Sequence, residues 1–185
     1  MVSGAPASGK TALSRRLAQE LGLPCLHKDA IKESLWESLG PTDIESSRRL
    51  GYAAIQLLNV LAGELLSAGS SVVVEANFRA GLSEGLLLPL VAKSRAFLIH
   101  CHVPAPLALQ RYRDRVGSAD RHPAHHDLEV LETLAAVLPE YVEPLRLPIP
   151  VLAVDTSDGY RPSLAEIVAF AHNAPALQAS NPSRP

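Results

Sequence analysis

Gly4-Ala5-Pro6-Ala7-Ser8-Gly9-Lys10-Thr11 fits the spacing G-x-x-x-x-G-K-[ST]. A loop of this pattern wraps an anionic phosphate in backbone N–H groups. Glycine is needed because a side chain would block the approach and because some of these positions want positive φ. The helix that follows points the positive end of its dipole at the phosphates. Lys10 then reaches the β- and γ-phosphates, and the Thr11 hydroxyl sits on Mg²⁺. All eight residues, Gly4 to Thr11, are therefore expected to contact a nucleotide.

Working outward, only Met1-Val2-Ser3 precede this loop, where a buried parallel strand of about five residues is usual. Either a few apolar residues of that strand are missing upstream, or the first strand is a stub. Residues 10–21 read as a helix with Leu13, Leu17 and Leu21 on one face, ended by Gly22 and Pro24. Cys25-Leu26-His27 is a short strand, and Asp29 begins a second helix that Gly40-Pro41 breaks. Thr42 and Glu45 have capping-box spacing, so a long helix is expected over 43–67 with Ala54, Leu58, Leu61 and Leu65 facing inward. The β-branched run at 72–76 reads as a strand buried on both faces. A helix over 82–94 carries Pro89 near its middle, where a kink or break is expected, and 96–103 is the next strand. Pro104 opens a helix to about residue 116, a polar loop covers 117–126, and another helix covers 127–138. The prolines of 139–150 make that stretch irregular. Residues 151–155 are the last strand, and Ser163 with Glu166 caps a final helix ending near 173. Residues 1–173 thus form one domain with a lid at about 111–128, and 174–185 is expected to be a disordered tail.

Strands alternating with helices imply an α/β fold with a parallel sheet and right-handed crossovers. Ligands of such sheets sit outside the C-terminal strand ends. The polar residues of interest converge there: the Gly4–Thr11 loop after the first strand, Asp29 after the second, Glu75 to Arg79 after the third and Asp155 after the fifth.

Composition narrows the class. Of 185 residues, 47% are hydrophobic and 19% charged, which is globular rather than disordered. A net charge of −2 supplies no general basic field for nucleic acid. Cys25 and Cys101 both lie in strands, as expected of reduced thiols rather than a disulfide, and no uninterrupted apolar run reaches the ~18 residues of a membrane span. The cytoplasm is the expected location.

Phosphoryl transfer asks for a phosphate cradle, a held Mg²⁺, cations for the transferring group and a residue that orients the nucleophile. Asp29, just after the second strand, can accept a proton from an acceptor hydroxyl, or can cap its own helix. Glu75 ends an apolar strand, where an unpaired charge would be costly, and is assigned with Thr11 to the metal. Arg111 and Arg115 lie four apart on one helix. With Arg113 and Arg121 nearby, they make a hinged lid that neutralises the transferring group. Asn77, Arg79, Arg121 and His122 are assigned to the acceptor; Arg48 and Arg49, on the long helix, read as surface residues, or as further acceptor contacts if the acceptor carries an anion. The run Arg121-His122-Pro123-Ala124-His125-His126-Asp127 has no cysteine near it and fits a lid better than a zinc site. Cys25, His27, His100 and His102 are read as core packing.

With these residues in view, the chain resembles the small P-loop kinases of the AAA-type predicted-kinase group, whose relatives include chloramphenicol phosphotransferase and the kinase domain of polynucleotide kinase. The resemblance rests on the Gly4–Thr11 loop, Lys28-Asp29-Ala-Ile-Lys-Glu33, the stretch from Ala68 to Phe78, and Arg111-Tyr-Arg113 with Arg121-His122-Pro123. It implies a three-layer fold with a five-stranded sheet in the order 2-3-1-4-5, and ATP with Mg²⁺ as cofactors. It places Asp29 where these kinases activate the acceptor, and Asp155 and Thr156 near the adenine. Glu75 departs from the commoner Asp. The expected activity is transfer of the γ-phosphate of ATP to a hydroxyl of a small molecule. The rivals are a 5′-hydroxyl polynucleotide kinase, disfavoured by 4% aromatic residues, and a nucleotide-dependent switch.

Overall fold

The structure, a computed structural model, describes residues 1–40, 43–119 and 121–174. Five short parallel strands form its centre: β1 (Val2–Gly4), β2 (Cys25–His27), β3 (Val73–Glu75), β4 (Leu98–His102) and β5 (Val151–Asp155). Their order is β2-β3-β1-β4-β5, which is the P-loop kinase arrangement. Each crossover carries helix: α1 (Lys10–Leu21); α2 (Lys28–Leu39) and α3 (Ile44–Ser67); α4 (Glu84–Val91); α5 (Ala105–Arg115) and α6 (Asp127–Val137). Helix α7 (Leu164–Asn173) follows β5.

Alternation along the strands assigns the two cores. Val2, Val73, Ile99, Cys101 and Val154 face Leu13 and Leu17 of α1 and Ile167 of α7. Val74 and Leu98 face the other way, onto Leu58 and Ala62 of α3, Leu87 and Leu90 of α4, and Leu145, Leu147 and Ile149. The prolines that make 144–150 irregular therefore do not expose it; that stretch closes the second core. A third cluster joins Ala108 and Tyr112 of α5 to Leu134 and Leu138, with Ala5 and Ala7 of the first loop against it. The α5–α6 pair is thereby seated on the phosphate-binding loop.

The register brings chemistry to one end. Val2 and His27 both pair with Glu75, and Gly4 pairs with Cys101, so β1, β2 and β3 finish side by side. β1 is indeed a stub of three residues. Near its start, an apolar cavity of about 320 Å³ is lined by Met1, Leu17, Ala62, Val74, Val91 and Phe97.

Three local expectations change. The long helix turns Leu61 outward at 44% exposure and buries Ala62 instead, because the inward stripe runs Ser47, Ala54, Leu58, Ala62. Its cap is Asp43, whose carboxylate accepts the Ser46 N–H at 2.7 Å; Thr42 lies outside the described residues. Pro89 is accommodated within α4, near the end of that short helix. The tail expected at 174–185 also lies outside the described residues, apart from Ala174, which is buried. Helix α3 is long and apolar enough to cross a membrane; within the fold, Leu58 and Ala62 of its inward stripe pack on β3 and α4, while Tyr52, Leu57, Val60 and Leu61 are exposed.

Candidate active site

The loop after β1 has the geometry of a cradle. Gly4 sits at φ 148° and Gly9 at φ 77°, and Ala7 takes φ 62° in the same turn. A Cβ on Gly4 would stand 2.3 Å from the Cys101 carbonyl oxygen and 2.7 Å from Ser8 Oγ. The first bond of the α1 ladder runs from the Leu13 N–H to the Gly9 carbonyl at 3.1 Å. The amides of Lys10, Thr11 and Ala12 consequently precede the ladder and have no backbone partner among the described residues. Open amides at a helix N-terminus, beside a glycine that no other residue could replace, fit a phosphate. Gly4→Ala is expected to cost about 2 kcal/mol or more through that clash. Thermal unfolding should show a drop of several degrees.

The loop is held from behind. Thr156 Oγ1 lies 2.7 Å from the Ser8 carbonyl and 3.2 Å from that of His102, so it ties the cradle to the end of β4. Arg111 donates to the carbonyls of Thr156 and Ser157, both at 2.8 Å. This corrects the lid reading for Arg111. Its guanidinium does not line the cleft with Arg115 but secures the segment after β5. Thr156, expected near the adenine, is a buried clamp on the loop, while Asp155 accepts the Ser157 N–H at 2.8 Å and shapes the same turn.

At the phosphate end, Glu75 is buried. His27 Nδ1 lies 2.9 Å from its Oε2, the Thr11 hydroxyl donates to the same oxygen at 3.3 Å, and Lys10 Nζ is 3.9 Å from Oε1. Lys10 also donates to the Ala5 carbonyl at 3.3 Å. Hydrogen bonding to Cys25 and to Glu75 raises His27 to about 9 against the opposing effect of burial, so the ring is an imidazolium at neutral pH. His27 was read as core packing, and the structure instead makes it a cationic neighbour of the proposed metal carboxylate. The available signal was positional: both residues end adjacent strands. Thr11 and Glu75 supply two oxygens of the kind Mg²⁺ takes.

Asp29 is in the first turn of α2, whose N-cap is His27, so it does not cap the helix. Its carboxylate is 39% exposed and accepts from Lys28 Nζ at 2.9 Å. Burial pushes its pKa up, but Lys28, Lys10 and His125 outweigh that and hold it well below the usual carboxylate range. Asp29 and the loop line one open cleft of about 1120 Å³, which also takes in Lys32, Asn77, Arg79, Arg115 and Arg121.

The lid contributes a linked set of polar side chains. Tyr112 donates to Asp127 Oδ1 at 2.6 Å, and Arg121 grips the same carboxylate with Nε and a terminal nitrogen. Arg115 stacks on Tyr112, its Cζ 4.3 Å from the ring centroid, and its buried Nε has no partner among the described residues. Asn77 donates to the Tyr141 hydroxyl at 3.3 Å, and Arg79 pairs with Glu140. His122 does not line the cleft. Its Nδ1 accepts the Ala124 N–H at 3.1 Å, so Nε2–H donates to Glu37 at 2.9 Å, and the ring meets Trp36 edge-on. His125 makes the parallel contact to Glu33 at 2.7 Å. These two histidines bind the lid to α2.

Comparison with known proteins agrees with this arrangement. The structure matches a presumed kinase from Chloroflexus aurantiacus J-10-fl at a TM-score of 0.80 and 34% identity, over 96% of each chain. A sugar kinase from Janibacter sp. HTCC2649 shares the fold at a TM-score of 0.57 and 19% identity, covering 92% of this chain and 89% of that one. A gluconokinase from Sinorhizobium meliloti 1021 does so at 0.50 and 22%, covering 92% and 86%. No curated protein matches the sequence. The AAA domain profile matches residues 1–141, which hold the phosphate loop, Asp29, Glu75 and the whole lid, and the chain belongs to the AAA domain family.

Proposed function

We propose that the chain is an ATP-dependent phosphotransferase that moves the γ-phosphate of ATP to a hydroxyl of a small molecule. One observation carries the reading: an aspartate kept ionised by its cationic neighbours, a phosphate cradle and an arginine whose Nε has no partner among the described residues share one cleft. Residues 4–11 grip the triphosphate, and Lys10 meets its outer phosphates. Mg²⁺, held by Thr11 and Glu75, supplies charge neutralisation on the phosphate oxygens. Asp29 orients the acceptor hydroxyl and takes its proton as the bond to phosphorus forms. Arg115, with Arg121 behind it, faces the charge that develops on the transferring group. Asn77 and Arg79 flank the acceptor. Arg111, Asp155 and Thr156 act on the nucleotide through the loop they brace. We place the protein in the cytoplasm, where both thiols stay reduced.

The test is ADP release from ATP and Mg²⁺ across a panel of hydroxyl-bearing metabolites and antibiotics, with a 5′-hydroxyl oligonucleotide alongside. At least one small molecule should raise turnover far above slow background hydrolysis. Transfer confined to the oligonucleotide, or hydrolysis that ignores every acceptor, overturns the reading.

A further inference from the structure

The acceptor side of the cleft holds more positive charge than the protein itself balances. Lys28 is paired with Asp29, Arg79 with Glu140 and Arg121 with Asp127. Lys32 is different. It stands one turn after Asp29 on α2, lines the same cleft and is only 7% exposed. Its Nζ donates to Ser47 Oγ at 2.7 Å, and that hydroxyl donates onward to the Ala124 carbonyl at 2.7 Å. Among the described residues, no carboxylate lies within 4.0 Å of this ammonium. Arg48, on the facing helix α3, lines the cleft from a more open position and likewise has no acidic partner among the described residues.

A buried ammonium without a counter-ion is costly, and two hydrogens of Lys32 remain to be used. A structural lysine would be expected to find a carboxylate in the fold; this one faces the cavity. We infer that the acceptor carries an anionic group, a carboxylate or a phosphate, that seats on Lys32 with Arg48 at the entrance. Asp29 and Lys32 are separated by about 4.5 Å along the helix axis. The reacting hydroxyl and the anion are therefore close together in one small molecule: a hydroxy acid, or a phosphomonoester that keeps a second hydroxyl. The inference rests on the phosphotransferase reading for the hydroxyl but not for the anion.

Burial, followed by the Lys28 charge, lowers Lys32 to about 8, with Arg121 pushing the same way and Asp29 and Asp127 opposing. The side chain is charged at neutral pH and loses its charge as pH rises through that value. Binding of an anionic acceptor should therefore weaken above pH about 8. In Lys32→Arg, whose guanidinium stays charged, that dependence should disappear.

The experiment is calorimetry on the full chain with Mg²⁺ and a non-hydrolysable ATP analogue. The probes are hydroxy acids and phosphomonoesters, each paired with its uncharged alcohol. An anionic member should bind at least about tenfold more tightly than its uncharged partner. Lys32→Met should lose that preference while binding the analogue normally and melting no lower than the parent, and Lys32→Arg should restore it. The carboxylate and phosphate arms decide which anion is used. Uncharged alcohols that bind as tightly, or an unchanged preference in Lys32→Met, overturn the inference. An anion that binds by these criteria but is never phosphorylated overturns the phosphotransferase reading and leaves the anion seat standing.

Discussion

Asp29→Asn binds ATP but transfers its phosphate about 10²–10⁴-fold more slowly. The amide keeps the shape of the side chain, so the cleft and the lid contacts on α2 survive. It cannot take a proton, and it leaves Lys28 without its carboxylate partner. Calorimetry should give an analogue affinity within a few-fold of the parent, and rapid-quench turnover should show the loss in kcat. Full turnover in this variant would remove Asp29 from the chemistry. The pH dependence is a second check. The folded aspartate is held below its ordinary range, so the ionised form persists as pH falls through about 3.9. Asp29 itself should therefore add no acid limb to the rate near pH about 3.9, so any fall in rate there belongs to the substrates or to the fold.

Lys10→Ala removes the cation between the cradle and the buried carboxylate. Nucleotide affinity is expected to fall at least tenfold and kcat by about 10²–10³, since in the proposed mechanism the lost charge meets the outer phosphates. Stability should change much less, by about 1–2 kcal/mol. Glu75 keeps His27 at 2.9 Å and Thr11 at 3.3 Å, so its charge is not stranded. Calorimetry, turnover and thermal melting separate these effects. Parental nucleotide affinity in Lys10→Ala would remove the phosphate-binding role assigned to the loop.

Much of this was legible in the residues, for identifiable reasons. The loop is fixed by backbone requirements that few residues meet, and its spacing survives translation into geometry: Gly4 and Gly9 have the positive φ that the motif demands. The β-branched run at 72–76 marked β3, the phosphate-loop motif placed β1, and short apolar stretches bounded by turns and prolines marked the other three strands. What misled was rotation and reach. Leu61 and Ala62 differ by 100° on one helix, and leucine's greater hydrophobicity favoured the wrong one. Arg111 and Arg115 share a helix face, but only a tertiary contact shows that one is bound to the carbonyls of Thr156 and Ser157. His27 looked like packing because its partner, Glu75, is 48 residues away in sequence and adjacent only through strand register. Lys32 lies within the quoted Lys28–Glu33 stretch but drew no role from it, because a lysine on a polar helix reads as solvated until α3 packs over it.

Thr156 has a consequence for redesign. Its hydroxyl couples the segment beyond β5 to the cradle, and Arg111 couples the same segment to α5. Replacing that segment would therefore disturb the Gly4–Thr11 loop and α5 together, and a redesign that keeps Thr156 and Arg111 keeps both ties.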